Sequence, residues 1–142
     1  MVIEIDIDGT ITQAPEFFKH LTNAFRRDGH KIIVATTRVD DQESRDYTTK
    51  QLRELGIVYD ELVLSPRFED LDKRRFPAGL GPTHRLYLSK LFAAEDHGVD
   101  VLFDDCGITV EVFRKHLPRV QVFQVLDHMV YRIERSMVPP VD

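Results

Sequence analysis

Residues 2–10 read Val-Ile-Glu-Ile-Asp-Ile-Asp-Gly-Thr, and this stretch decides the fold of the chain. Its first part, as far as Ile7, is rich in β-branched residues with a short alternation, which predicts a β-strand. Residues 8–10 then break the strand. Asp6 and Asp8 stand at the end of an apolar run, which is an unusual place for charge and indicates a site.

Beyond this stretch, helical and extended patterns alternate along the chain. The patterns predict helices over 15–27, 40–55, 83–97 and 107–117, and further strands over 31–35, within 57–64, and over 99–103 and 119–125. Thr83 is the predicted N-cap of the third helix. Residues 65–82, with three prolines and two glycines, form a predicted long loop. This order predicts an α/β/α sandwich around a parallel Rossmann-type sheet of about five strands.

Length and composition exclude several classes of protein. A chain of 142 residues predicts one domain, which we place at 1–127 with a C-terminal tail at 128–142. A single cysteine excludes an intramolecular disulfide and disfavours a cysteine-based zinc site. The net charge of -5 weighs against a general nucleic-acid coat, which would be basic. The N-terminus lacks a basic signal-peptide region and no long apolar run follows, so the expectation is a cytoplasmic protein without a membrane partner.

Polar residues follow three of the predicted strands, at the edge where α/β sheets bind ligands. They are Asp6 and Asp8 after the first strand, Thr36 and Thr37 after the second, and Asp104 and Asp105 after the fourth. Four carboxylates at one edge would repel one another, and a divalent cation removes that conflict. Mg²⁺ takes oxygen ligands and often shares them with phosphate. The pattern therefore predicts a Mg²⁺ site and a phosphorylated substrate.

The residue types suit phosphoryl transfer. Asp6 could attack phosphorus and form an aspartyl-phosphate, because carboxylates act as nucleophiles in such reactions. Asp8 could protonate the leaving oxygen and then activate water. The candidate phosphate-binding residues are Gly9, which lets the loop turn back toward the ligand, and Thr36, Thr37 and Arg38. Two simpler interpretations stay open, an Asx turn at 8–10 and helix capping by residues 104–105.

These residues resemble the motifs of the haloacid dehalogenase (HAD) superfamily of phosphohydrolases. Residues 6–10 match its first motif, DxDGT, and residues 34–38 are similar to its second, an apolar strand that ends in Thr or Ser. Residues 102–105 resemble its acidic fourth motif. The resemblance spans residues 1–125 and implies a HAD-like core.

The resemblance also implies roles for single residues. Asp6 would be the nucleophile and a Mg²⁺ ligand, and Asp8 the acid/base that binds Mg²⁺ through its backbone carbonyl. Thr36 would hold phosphate. Asp104 would complete the metal site, with Asp105 as the alternative or second acidic ligand. An aspartate at position 8 favours phosphatase over dehalogenase chemistry.

The third HAD motif is a basic residue, and here the sequence offers several. The rise of about 3.3 Å per strand residue and about 1.5 Å per helix residue places Arg85 level with the carboxylates and Lys90 well below them. We therefore expect Arg85 to take the catalytic role, with Lys90, a predicted surface lysine, second and His84 third. Basic residues of the loop at 73–75 could also fold over the site.

The gaps between the motifs have no room for a cap domain, so the site should be open. The resemblance implies one of two arrangements, because members of the superfamily without a cap tend to act on macromolecules or to close their sites through oligomers. A homo-oligomer of this chain would agree with the second arrangement. Residues 36–62 are similar to the phosphatase domains of polynucleotide kinases, which remove 3′-phosphates from nucleic-acid ends, although Thr37 replaces a glycine of that pattern. The loop residues Arg67, Phe68 and 74–75 could meet a phosphate backbone and a base, or form a solvated charged loop.

The prediction is thus a Mg²⁺-dependent phosphomonoester phosphatase with an aspartyl-phosphate on Asp6. Its substrate would be a nucleotide, a nucleic-acid end or another accessible phosphoester. The alternatives are a non-catalytic HAD-like binding module and a phosphotransferase. A receiver domain is disfavoured because it needs an acceptor aspartate after the third strand, where residues 63–65 read Val-Leu-Ser.

Overall fold

A five-stranded parallel sheet with helices on both faces forms the protein, as the sequence predicts. The structure, a computed structural model, describes residues 1–126 except 82–83 and 85–86. The strands are β1 (Val2–Ile5), β2 (Lys31–Val39), β3 (Glu61–Ser65), β4 (Val101–Asp104) and β5 (Gln121–Gln124), and the helices are α1 (Pro15–Arg27), α2 (Gln42–Glu54), α3 (Leu88–His97) and α4 (Gly107–His116). The strand order is β3-β2-β1-β4-β5, and every pairing is parallel.

Two apolar layers hold the sheet between its helices. Ile3 and Ile5 of β1 pack in a cluster with residues of α1 and α2, including Phe18 and Leu52. The opposite face packs on α3 and α4. Because the central strands are covered on both faces, they read as nearly continuous apolar runs. β1 lies at the centre of the sheet, so the turn that follows it opens at the middle of the carboxyl edge.

Several element bounds differ from the prediction. β1 ends at Ile5, before the motif aspartates. β2 continues to Val39 because, after a register irregularity, it pairs again with Ser65 at the end of β3. α2 begins later than predicted because the Asp41 side chain caps it, accepting a hydrogen bond of 2.7 Å from the backbone nitrogen of Ser44. The predicted Thr83 cap and the tail at 128–142 lie outside the described residues.

The loop between β3 and α3 is attached to the outer side of α3. Arg75 forms ion pairs of 3.0 Å with Glu95 and 2.9 Å with Asp96, and its guanidinium lies 4.3 Å from the ring centre of Phe92. Arg74 pairs with Asp72 within the loop. The idea that residues 73–75 fold over the site is wrong for both arginines, because nearer carboxylates hold them. No helix in the described part of the chain has the length and apolarity to cross a membrane.

Candidate functional site

The turn after β1 brings Gly9 against Asp105, the residue that follows β4. Gly9 has a φ of +83°, which glycine adopts without the penalty of a side chain. A Cβ atom at this position would overlap the carboxylate of Asp105. The glycine of the DxDGT motif therefore serves two purposes, the left-handed turn and the close approach of Asp105.

Three carboxylates meet at this edge of the sheet. Asp6, Asp104 and Asp105 each offer an oxygen within 4.8 Å of the others. Asp6 is 5% exposed and Asp104 is fully buried. The Thr10 hydroxyl lies 3.0 Å from Asp6 Oδ2 and 3.3 Å from Asp105 Oδ1, and the backbone nitrogen of Cys106 donates to Asp104 Oδ1 at 2.8 Å. Such a cluster of oxygen donors could bind a metal ion.

Lys90 is the cation of this cluster. Its Nζ lies 2.7 Å from Asp6 Oδ1 and 2.7 Å from Asp104 Oδ2, and the residue is only 3% exposed. The prediction that Lys90 is a surface lysine below the carboxylates is therefore wrong. The rise estimate compared backbone heights, but a helical side chain tilts toward the helix N-terminus, here toward the carboxyl edge, and lysine is long enough to close the gap.

The Lys90 ammonium and the two carboxylates beside it each favour the charged form of the other, against the effect of burial. Burial alone would lower the pKa of Lys90, but Asp6 and Asp104 together outweigh it and raise that pKa above its ordinary value. Burial raises the pKa of both carboxyls, and the nearby ammonium opposes the rise. Counting Asp105, three carboxylates face one ammonium, so negative charge is left in excess at a buried position. A divalent cation would offset that excess.

The Asp8 side chain points away from this cluster. It is 61% exposed and forms a two-pronged ion pair with Arg38, with Nε–Oδ2 and Nη2–Oδ1 distances of 2.9 and 2.7 Å. Arg38 also donates to Thr48 Oγ1 at 3.0 Å and lies over the ring of Tyr47. The hydrogen bond to Asp8 raises the pKa of Arg38. The structure thus links two predicted site residues that the sequence treats separately.

The remaining predicted residues lie in different surroundings. Thr36 is buried, and its hydroxyl accepts a hydrogen bond of 3.2 Å from the backbone nitrogen of Arg38. Thr37 is exposed and lines a pocket between the ends of β2 and β3. Arg85 lies outside the described residues. His84 lies 3.7 Å from Glu111 of α4, at the side of a different cavity.

Sequence reasoning missed Glu4, a buried acid in the middle of β1. It is fully buried between Ile33 and Leu102 on the neighbouring strands, and neither carboxylate oxygen has a hydrogen-bond partner among the described residues. Burial raises its pKa well above the ordinary value. The signal in the sequence was a charged residue inside a β-branched run, two positions before Asp6 and therefore on the same face of the predicted strand.

Comparisons with known proteins support the fold. No protein-family model matches the chain, and no curated protein matches it. A chain of the Pnkp1/Rnl/Hen1 complex superposes with a TM-score of 0.63 at 18% identity, over 88% of this chain and 45% of the other. A chain of the Pnkp1/Rnl/Hen1 RNA repair complex superposes with a TM-score of 0.63 at 19% identity, over 88% and 42%. This chain therefore spans less than half the length of either neighbour.

Proposed function

We propose that the protein is a Mg²⁺-dependent phosphomonoester phosphatase that forms an aspartyl-phosphate on Asp6. The observation that carries this proposal is the bridge of Lys90 between Asp6 and Asp104, next to Asp105, at the carboxyl end of the central strand. A buried nucleophile beside a fixed cation and a set of oxygen ligands is the arrangement that phosphoryl transfer requires.

The acidic cluster fits Mg²⁺ on the chemistry of its donors. Asp6, Asp104 and Asp105 supply hard oxygen ligands, and the backbone carbonyl of Asp8 is a further candidate. Burial raises the pKa of Asp6, Lys90 opposes that rise, and a hydrogen bond with the Asp105 carboxyl adds to it. A cation between these carboxyls would favour the ionised form of both. When bound, Mg²⁺ would neutralise charge on the phosphoryl oxygens and orient the substrate.

The chain's own residues would carry out two displacements. In the first, a carboxylate oxygen of Asp6 bonds to phosphorus while the bond from phosphorus to the leaving oxygen breaks, and Asp8 gives that oxygen a proton. In the second, Asp8 takes a proton from water, whose oxygen attacks phosphorus and releases inorganic phosphate from Asp6. Lys90 would hold the Asp6 carboxylate in place and offset negative charge throughout.

Residues around the acids would bind and orient the phosphoryl group. Thr36 and Arg38, which hydrogen-bond each other, are the proposed donors to its oxygens, together with the turn at Gly9 and the neighbouring Thr37. Asp8 must leave Arg38 to reach the leaving oxygen. Arg38 would then be free to bind phosphate, so the ion pair between Asp8 and Arg38 and the binding of substrate would exclude each other.

We infer that the substrate is an accessible phosphorylated end, with a nucleic-acid end as the first choice. In the described part of the chain, no separate domain is inserted between the strands to cover the site. One structural neighbour is a chain of an RNA repair complex, which is in line with the resemblance to polynucleotide kinase phosphatase domains. A homo-oligomer that closes the site stays a prediction.

The alternative of a non-catalytic binding module loses its main support. That alternative would be favoured by the loss of the basic residue, and Lys90, whose Nζ lies 2.7 Å from Asp6 Oδ1, is the basic residue that we propose for this role. A phosphotransferase would use the same aspartyl-phosphate and differ only in the acceptor, so it is distinguished by the products of the reaction.

Hydrolysis of a panel of phosphoesters tests the proposal. The panel holds an aryl phosphate and oligonucleotides with 3′- or 5′-phosphates, each with Mg²⁺ or with a chelator, and is run with the wild type and Asp6→Asn. We expect phosphate release by the wild type that requires Mg²⁺ and is lost in the variant. Asp40→Asn, which changes an exposed aspartate outside the cluster, is the control. A wild type that is inert on the whole panel, or an Asp6→Asn variant with full activity, would contradict the proposal.

A further inference from the structure

A pocket opens beside the acidic cluster, between the ends of β2 and β3 and the start of α3. Its volume is about 360 Å³, and its walls include Thr37, Pro66, Arg67, Phe68, Leu71 and Tyr87. Small-molecule sites begin at about 300 Å³ and combine apolar or aromatic walls with a few polar groups. The pocket has that composition. Of the residues in its wall, only Thr37 has a role in the proposed phosphatase reaction.

Two residues connect the pocket to the acidic cluster. Thr37 follows the buried Thr36 directly, so the pocket begins within the proposed phosphate-binding segment. Tyr87 lines the pocket and stands directly before α3, three residues before Lys90 and therefore on a neighbouring position of the same helix face. A hydrogen bond with the Cys106 thiol and burial raise the pKa of Tyr87, and Lys90 opposes the rise. A ligand with a phosphate at the cluster could place its next chemical group in the pocket.

The Phe68 ring is held in place from behind. Its centroid lies 6.0 Å from that of Phe76, which lies 6.4 Å from Phe92 of α3 in a stacked arrangement. Arg75 covers the Phe92 ring and is itself paired with acids of α3. Phe68 nevertheless remains 37% exposed. It is thus a supported aromatic ring on a loop, with surface left for a ligand.

Arg67 gives the pocket a cationic group. Among the residues that the structure describes, Arg67 has no ion pair or hydrogen bond from its guanidinium, in contrast to Arg74 and Arg75 of the same loop. Within the described residues, the two later arginines are paired with carboxylates and the earlier one is not. An aromatic ring beside a guanidinium is the combination that binds a nucleobase by stacking, without a strong preference for its identity.

We propose that this pocket binds the nucleobase of the nucleotide that carries the scissile phosphate, stacked on Phe68 with Arg67 beside it. The inference rests on the proposed function, because it concerns the nucleobase of the same substrate whose phosphate would bind at the acidic cluster. The base could belong to a free nucleotide or to the end of a strand, and both present the same chemistry to the pocket.

Equilibrium binding separates the base from the phosphate. In an Asp6→Asn background, the ligands are two 3′-phosphorylated oligonucleotides, one with a normal terminal nucleotide and one with an abasic terminal sugar. We expect the abasic ligand to bind roughly 5- to 150-fold more weakly, since stacking of one base on an aromatic side chain contributes about 1–3 kcal/mol. A 3′-nucleoside monophosphate, compared with the oligonucleotide, distinguishes a free nucleotide from a strand end.

Substitution of Phe68 locates the base. Phe68→Leu keeps an apolar side chain against Phe76 and removes the aromatic face, and Phe68→Trp restores one. The leucine variant should lose the affinity difference between the normal and the abasic oligonucleotide, and the tryptophan variant should retain it. Phe123→Ala is the matched control, because Phe123 is 47% exposed and lies on the opposite edge strand of the sheet.

The outcomes for the pocket and for the phosphatase are distinct. Three results would contradict the proposal that the pocket binds a nucleobase. They are equal affinity of the parent protein for the two oligonucleotides, an equal loss of affinity for both in Phe68→Leu, and no binding of either oligonucleotide. Acetyl phosphate, which has no ring to stack, reports on the chemistry alone. If the wild type hydrolyses acetyl phosphate but the base does not change the affinity for the oligonucleotides, the proposed base-binding pocket is wrong and the proposed phosphatase activity is supported. If the base raises the affinity but no phosphoester is hydrolysed, the proposed phosphatase activity is wrong and the base-binding pocket is supported.

Discussion

Lys90 Nζ lies 2.7 Å from Asp6 Oδ1, and the two residues come from the third helix and the turn directly after the first strand, 84 positions apart in the chain. Asp104 receives a second bond of the same length from the same ammonium. The three side chains are almost wholly removed from solvent. Removal of one partner from such a group leaves an uncompensated buried charge, so the group is sensitive to single substitutions.

Lys90→Met should destabilise the protein and stop catalysis. The variant leaves two buried carboxylates without their cation, a loss of about 3–5 kcal/mol in the free energy of unfolding by analogy with other broken buried pairs. Mg²⁺ should restore part of that stability, because it can neutralise the same carboxylates. Urea denaturation with and without Mg²⁺ measures the loss of stability and its recovery.

Lys50→Met is the control for this prediction, because it removes an exposed lysine from a 3.9 Å pair with Glu54. It should change the free energy of unfolding, with or without Mg²⁺, by no more than about 0.5 kcal/mol. If Lys90→Met is as stable as that control, Lys90 does not have the electrostatic role assigned to it.

Asp8→Asn should slow turnover more than it weakens substrate binding. An amide cannot give a proton to the leaving oxygen, and general acid catalysis of this kind contributes about 10²- to 10⁴-fold to the rate. The loss should be smaller for an aryl phosphate, whose leaving oxygen needs less protonation, than for an alkyl phosphate. Steady-state kinetics on both substrates measures this difference. Equal losses on the two substrates, or a change confined to KM, would argue against the acid/base role.

Gly9→Ala should damage the site more than the left-handed turn alone requires. The new Cβ carries the penalty of a positive φ, about 1–2 kcal/mol, and also overlaps the Asp105 carboxylate. Gly29→Ala is the matched control, since Gly29 has a φ of +86° and open space around it. Both variants should lose stability, but only Gly9→Ala should weaken Mg²⁺ binding, measured by titration calorimetry. Equal Mg²⁺ affinity in the two variants would show that the position of Asp105 is irrelevant to the metal.

The sheet and the convergence of acids could be predicted from the sequence because both depend on local patterns. Alternating strands and helices imply a parallel sheet, and the carboxyl ends of parallel strands share one edge, so Asp6, Asp104 and Asp105 had to be neighbours. The reach of a single side chain is a different matter. Backbone rises placed Lys90 too low, because they ignore the direction in which a helical side chain leans.

Contacts between distant positions explain what else the sequence did not reveal. The ion pair of Asp8 with Arg38 depends on how far β2 extends and on the exact conformation of the motif turn, which no local pattern specifies. The attachment of Arg75 to α3 likewise joins a loop to residues 20 positions away. Charged side chains in loops have many partners within reach, so their pairing follows from the packed structure.

Glu4→Met should stabilise the protein. Glu4 is fully buried, near enough to Lys90, Asp6 and Asp104 for their charges to act on it, and neither of its carboxylate oxygens has a hydrogen-bond partner among the described residues. An unsatisfied buried polar group costs about 1–3 kcal/mol, and methionine fills a similar volume without that cost, so the free energy of unfolding should rise by about that amount. Glu4→Gln is the control, because its amide is polar but uncharged and would be buried in the same surroundings. Denaturation at neutral pH in the presence of a chelator gives the comparison. A Glu4→Met variant less stable than the wild type would show instead that the carboxylate takes part in the charge balance around Lys90, and that its burial beside the site stabilises the folded state.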